Sequence, residues 1–289
     1  MKNDETEYQK SWFTTKTGLK LFYRDYTSKG SEIPVICLHG FMRNSRDFED
    51  LAPHLSTGRR VIAPDLRGRG RSDRATDAEG YHFDLLIQDT WELLDHLEIK
   101  RVVIIGTTLG GLMAIEMAGQ NPERVAGIVV NDIGAEVPLA ALKRMASHAE
   151  NADYSFDEAV ARVKEHNEAI YPGLEQSEWS RLMLRAYHET TTGRYERDFD
   201  LLTMRESARM QAKRPEFWLE FAKASAVPAA LIRGELSDLL TADIATRMLA
   251  VNASATLTSV SDRGHPPLLD EPQSLTAITD LLQRASKKV

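Results

Sequence analysis

The hydroxyl of Thr108 is the side chain in this sequence whose setting best suits nucleophilic attack. It stands at the centre of Gly106-Thr107-Thr108-Leu109-Gly110, between the β-branched apolar run Val102-Val103-Ile104-Ile105 and the helix-forming run Gly111-Leu112-Met113-Ala114. That is the strand, tight turn and helix order of a G-x-S-x-G elbow, with threonine where serine is expected. A hydroxyl attacks only when a base removes its proton. The turn lifts the side chain out of the strand and aims the free N–H groups of the following helix at the reacting centre. Gly106 and Gly110 suit a turn too crowded for side chains. The residue at such a turn usually takes a positive φ, which a β-branched Thr108 tolerates worse than serine, with a strain of order 1–3 kcal/mol. Thr107 lies one residue out of the glycine register and is no substitute.

Other chemistry-bearing stretches read as structural. Arg67-Gly68-Arg69-Gly70-Arg71 invites a phosphate or RNA reading, but it follows a strand and is led by Asp65. No helix opens on it, so it is not a dinucleotide fingerprint. Cys37 lies in an apolar run and reads as a small buried hydrophobe. No His, Cys and carboxylate set has metal-ligand spacing, so neither a metal nor a cofactor is expected.

The elements that must position Thr108 follow from periodicity. Ser11–Thr15 and Leu19–Tyr26 alternate around the turn signal Lys16-Thr17-Gly18 and predict a hairpin. Residues 33–38, 60–63, 101–105, 125–131 and 228–233 are short apolar runs, and 255–260 is a weaker one, which suits strands buried on both faces. Helical spacing predicts helices at 45–55, 84–98, 109–120, 242–250 and 273–284. Strands and helices alternating at this spacing predict a mostly parallel sheet with helices on both faces. The alternation breaks at 135–220, which is helical in character, carries no strong strand signal and holds most of the exposed-looking aromatics, from Phe156 to Trp218, with Phe221 at its edge. The expected organisation is an α/β core over 11–134 and 221–289, a helical cap inserted at 135–220, and a loose tail at 1–10.

Composition bounds the function class. The chain has 289 residues and a net charge of −7, which argues against a nucleic-acid surface. A single cysteine excludes an intrachain disulfide and suits a cytoplasmic protein. The polar start lacks the apolar region of a signal peptide, and no run approaches the ~20 apolar residues that span a bilayer.

With these pieces in order, the chain resembles the α/β-hydrolase fold family with a helical cap. The resemblance runs from about residue 11 to 285, and its motifs are His39-Gly40-Phe41, Asp65 to Ser72, the elbow, Arg233-Gly234-Glu235-Leu236-Ser237-Asp238, and Gly264-His265. It implies a nucleophile–acid–histidine chain order. Thr108 takes the nucleophile position and His265, in the loop near the C-terminus, is the base. Asp238 is the expected acid, orienting the histidine and stabilising its charged form. Asp132, after the preceding strand, is the alternative, with Glu235 behind it. The backbone N–H groups of Phe41 and Leu109 are the implied oxyanion donors. Gly40 permits the tight loop, and His39 is a positioning group.

The expected reaction is hydrolysis of a carboxylic ester or lactone, with Thr108 a weakened or deliberately introduced replacement for serine. The cap aromatics suggest an apolar or aromatic small-molecule substrate. Carbon–carbon bond hydrolysis, as in meta-cleavage-product hydrolases, uses the same residues and stays open. So does a non-catalytic binder that keeps the site.

Overall fold

The computed structural model describes residues 8–138, 140, 141, 144, 152–213 and 216–287. Of the expected tail, residues 1–7 lie outside these, and Gln9 and Lys10 already belong to the first strand. In chain order the strands are β1 Gln9–Thr14, β2 Lys20–Tyr26, β3 Val35–Leu38, β4 Val61–Pro64, β5 Val102–Thr107, β6 Val125–Asn131, β7 Asp153–Tyr154, β8 Tyr187–Glu189, β9 Tyr195–Arg197, β10 Ala229–Gly234 and β11 Ala255–Val260. Eight of them form one sheet in the order β1-β2-β4-β3-β5-β6-β10-β11. β1 and β2 are antiparallel, as the hairpin signal predicts, with Gly18 at φ +87 in the turn. β2 also meets β4 antiparallel, and the remaining pairs are parallel.

The helices are α1 Leu51–Leu55, α2 Phe83–His96, α3 Leu109–Gln120, α4 Phe156–Asn167, α5 Gln176–Ala186, α6 Leu202–Lys213, α7 Trp218–Lys223, α8 Ala242–Val251 and α9 Pro272–Lys287. The continuous apolar runs become strands because both sheet faces are covered. Ile36, Leu38, Val102 and Ile104 join one core with α2, α3 and α8. The alternate residues Val35, Cys37, Val103 and Ile105 join the other with α1 and α9. Cys37 is wholly buried, and burial pushes its thiol pKa up, so it is a packing residue. The single helix expected over 45–55 is instead a 3-10 turn, Ser45–Phe48, followed by α1. Pro53 lacks the N–H that would bond the Glu49 carbonyl and its ring crowds that carbonyl, so it fits the first turn of α1 but not the interior of one helix over 45–55.

Between β6 and β10 the chain leaves the sheet. This segment contains α4 to α7 but also a small antiparallel sheet in the order β7-β9-β8, which the sequence reading did not anticipate. Tyr187-His188-Glu189 and Tyr195-Glu196-Arg197 are too short to show a period of their own, and a turn with Gly193 at φ +74 joins them. The aromatics that looked exposed are mostly buried. Tyr171, Trp179 and Tyr187 form a separate core with α4 and α5, while Phe217 and Phe221 pack onto the main core. Among those named, Phe156 remains exposed. The segment is large enough to need its own hydrophobic centre, and the aromatics supply it.

Candidate active site

The elbow has the geometry its sequence requires. Thr108 sits between β5 and α3 at φ 52 and ψ −105, a conformation that a β-branched residue adopts only under strain. A Cβ on Gly106 would lie 2.0 Å from the Gly110 carbonyl oxygen, and one on Gly110 would lie 2.0 Å from that of Leu38. Neither glycine can carry a side chain without moving backbone. The turn is tied down by Thr108 N–H donating to Asn131 O at 3.1 Å and Gly110 N–H donating to His39 O at 3.2 Å.

Two hydrogen bonds link Thr108 to a histidine and a carboxylate. Thr108 Oγ1 lies 2.9 Å from His265 Nε2, and His265 Nδ1 lies 2.9 Å from Asp132 Oδ2. All three residues are buried, Asp132 completely. Asp132 Oδ1 accepts the Gly234 N–H at 2.9 Å, and the Asp132 N–H donates to Ile232 O at 2.8 Å. An ionised carboxylate has no proton to give, so Nδ1–H donates to Asp132 and Nε2 accepts from the Thr108 hydroxyl. This is the protonation pattern a general base needs.

The acid expected at Asp238 is not the carboxylate beside His265. Sheet order explains this. β6 lies between β5 and β10, with Asn131 paired in register to Thr107 on one side and Ile232 on the other. The residue after β6 therefore emerges next to the elbow, and its φ of 54 turns the chain there. Asp238 belongs to the loop beyond β10, one strand further out, and both its oxygens accept from Arg144, at 2.9 and 2.6 Å. Burial pushes its pKa up, but the Arg144 hydrogen bond and charge outweigh that and hold the carboxyl below its ordinary value. Glu235, also weighed as an acid, has its N–H bonded to Val260 O in the turn leaving β10.

The loop after β3 is held from behind. His39 is wholly buried, with Nδ1 bonded to Gly40 O at 2.8 Å and Nε2 accepting the Leu66 N–H at 3.0 Å. Burial holds its pKa down to about 3, so it is a neutral strut between two loops. Arg69 Nε donates to Phe41 O at 3.1 Å, and Arg67 is paired with Asp89 at 2.6 Å inside the protein. The arginine–glycine loop thus spends Arg67 and Arg69 on internal bonds, in keeping with its structural reading. Phe41 faces the cavity above Thr108. Leu109 opens α3, where the first N–H groups have no partner within the helix.

Asn131 is a site residue the sequence reading missed. Its amide donates to Thr107 Oγ1 at 3.1 Å and to Pro267 O at 3.0 Å, joining the elbow to the histidine loop. The available signal was a polar residue closing the apolar run Val125–Val130. Tyr171 O–H donates to Pro266 O at 2.7 Å and braces the same loop from the inserted segment. No group of residues able to hold a metal ion occurs among the described residues, and no described helix is long and apolar enough to cross a membrane.

Comparison with known proteins fits this arrangement. The profile of the alpha/beta hydrolase fold matches residues 33–272. The chain belongs to the α/β-hydrolase fold family. A crystal structure of an α/β hydrolase from Novosphingobium aromaticivorans DSM 12444 superposes with a TM-score of 0.89 at 36% identity, covering 96% of this chain and 99% of that one. A 3-hydroxybutyrate-oligomer hydrolase from Cupriavidus necator is 26% identical over 266 residues, 89% of this α/β hydrolase and 90% of the relative. A 2-hydroxymuconate semialdehyde hydrolase from Pseudomonas sp. strain CF600 is 33% identical over a shorter stretch, 38% of this chain and 40% of its own.

Proposed function

We propose that the protein hydrolyses carboxylic esters or lactones, with Thr108 as nucleophile, His265 as general base and Asp132 as the orienting acid. One observation carries this reading: the unbroken run from the Thr108 hydroxyl through His265 to the buried Asp132 carboxylate, with both spacings at 2.9 Å. Thr108 Oγ bonds to the substrate carbonyl carbon while its proton passes to Nε2. The positive charge on the ring is offset by Asp132 through Nδ1–H. The Phe41 and Leu109 N–H groups receive the negative oxygen. His265 then gives its proton to the leaving alkoxide. Water, deprotonated by the same nitrogen, releases the acid and restores Thr108.

The segment over residues 135–220 acts as the cap, with Tyr171, Val163 and Leu182 reaching the cavity over the reacting hydroxyl. The Cupriavidus relative, named as an oligomer hydrolase, supports ester chemistry. Cleavage of a carbon–carbon bond is the second reading, supported by the Pseudomonas relative over the part it matches. A non-catalytic binder fits less well. Burying a carboxylate against an imidazole is costly and gives a binder nothing.

The test is release of p-nitrophenol from p-nitrophenyl acetate by wild type, Thr108→Ser and Thr108→Ala. Serine removes the methyl from a strained, crowded turn and raises the rate at least about tenfold, or ~1.4 kcal/mol in the barrier. Alanine abolishes turnover. Equal rates for alanine and threonine would mean that Thr108 is not the nucleophile.

A further inference from the structure

The wall of the cavity above Thr108 is unusually cationic for a site built to hold an apolar ester. Arg43, Arg144, Arg185 and Arg197 all line it, and among the described lining residues Asp47 is the one carboxylate. They come from separate parts of the chain: the loop after β3, the stretch following β6, the end of α5 and the end of β9. No short motif accounts for their convergence.

The carboxylates bonded to Arg185 and Arg144 among the described residues lie off this face. Arg185 Nη2 donates to Asp50 at 2.6 Å, and Arg144 is held by Asp238. Neither Asp50 nor Asp238 lines the cavity. These two carboxylates therefore sit behind the wall. Arg43 is clamped to Asp47 through Nε at 3.0 Å and Nη2 at 2.5 Å, which leaves its Nη1 without a bond to the described residues. Its side chain also flanks the reaction centre. A Cβ placed on Gly40 would lie 3.5 Å from Arg43 Cγ and 3.6 Å from Thr108 Oγ1. Arg185 is 3% exposed; its buried Nε makes no hydrogen bond and lies 3.9 Å from Glu49, which is also off the cavity lining. A guanidinium carries five N–H donors in a planar fork matched to a carboxylate. Keeping such groups on a partly enclosed wall costs desolvation free energy that an anionic ligand would offset. The rest of the lining mixes aliphatic side chains, among them Met42, Val163, Ile170 and Leu182, with the rings of Phe41, Phe48 and Tyr171. The aromatics that suggested an aromatic substrate are mostly committed to packing elsewhere.

We infer that the site is built for a small substrate with a free carboxylate a few carbons from the scissile carbonyl, received by the arginine wall while the carbonyl sits at Thr108. A dicarboxylic acid monoester is the simplest member of that class. The inference rests on the hydrolase reading for the bond that breaks, but not for the binding it asserts.

Two measurements separate the readings. The first is equilibrium binding of monomethyl glutarate and methyl pentanoate to the Thr108→Ala protein, which cannot turn either over. The anionic ester binds at least about tenfold more tightly, ~1.4 kcal/mol, and the preference shrinks as salt rises. Arg43→Gln lowers the ratio of the two affinities. Asp47→Asn, which removes the wall's carboxylate and releases Arg43, raises it; damage to the fold alone would not move the two variants in opposite directions. The second is kcat/KM of Thr108→Ser on the p-nitrophenyl esters of the same two acids, with the same order expected. Equal binding of the charged and neutral esters overturns the inference whatever the turnover. Selective binding without turnover of either ester by the serine variant leaves the inference standing and removes the hydrolase reading.

Discussion

Replacing Asp132 by asparagine tests the relay at its least familiar member. The substitution keeps size and shape, so its effect can be worked out from the two bonds the carboxylate makes. Oδ1 accepts the Gly234 N–H at 2.9 Å, and Oδ2 accepts His265 Nδ1–H at 2.9 Å. An asparagine has one oxygen for these two donors. If the oxygen stays on the Gly234 backbone, its NH2 faces Nδ1. The ring must then carry its proton on Nε2, where it can no longer accept from Thr108 Oγ1, 2.9 Å away. The opposite flip sets NH2 against the Gly234 N–H and leaves a buried donor unpaired. The first arrangement costs less, so Asp132→Asn enforces the wrong tautomer. In Ser-His-Asp enzymes that error costs about 10⁴ in kcat, or ~5.4 kcal/mol. Asp238→Asn instead removes half of a solvent-exposed ion pair with Arg144, worth no more than ~1 kcal/mol. The assay is the rate of covalent labelling by a fluorophosphonate in the Thr108→Ser background, which reads activation of the hydroxyl without needing the natural substrate. Asp132→Asn should label at least about 10³-fold more slowly than its parent, and Asp238→Asn within about fivefold. A larger loss at Asp238 than at Asp132 would refute the assignment.

Other consequences are open to measurement. Asn131→Ala removes the amide that ties Thr107 to Pro267 and should lower kcat by about one to two orders of magnitude with little change in KM, because it acts on alignment and not on binding. Gly106→Ala drives a methyl to within 2.0 Å of the Gly110 carbonyl and should cost several kcal/mol, about 3 or more, or prevent soluble expression. His39 gives a pH signature. Its pKa is about 3 in the fold and about 6.5 when unfolded, so between those values the unfolded chain binds the extra proton. Its stabilising contribution is full above about 6.5 and is lost as pH falls toward 3, by at most ~1.4 kcal/mol per pH unit. Buried Asp65 and Asp89, whose carboxyls burial pushes up, act in the opposite sense, so the readout is the difference between proteins. Urea stability of wild type should fall more steeply from pH 6.5 to 5 than that of His39→Gln, and parallel slopes would count against a buried neutral His39.

The sheet was legible in the sequence because its strands are buried on both faces. Val102–Ile105 and Val125–Val130 are apolar at every position, and a run that short has few other uses. The elbow was legible because its glycines are required by backbone contacts made within the same stretch and with β3. The inserted segment was harder. Strands of two or three residues show no period, and its tyrosines and tryptophan were interleaved with charges, although the fold turns them inward. The cavity arginines were invisible for a related reason. Each looks like an ordinary surface charge in sequence, and only the fold brings 43, 144, 185 and 197 to one wall.

The acid is the instructive case, because the two candidate positions differ by one strand in the sheet and by nothing in local sequence. Asn131-Asp132-Ile133 and Ser237-Asp238-Leu239 are both polar breaks after buried runs. Three-dimensional neighbours distinguish them. β6 abuts β5, so Asp132 reaches His265 from beside the nucleophile and accepts a backbone N–H of β10 with its second oxygen. A carboxylate so tied has one orientation. The charge of Asp238 is matched instead by Arg144, a residue of the cavity wall. In the proposed mechanism, the aspartate after β10 anchors a cationic side chain over the site and the aspartate after β6 sets the histidine. On this division Asp238→Asn should alter the preference for charged over neutral esters far more than it alters labelling of the hydroxyl. Asp132→Asn should do the reverse.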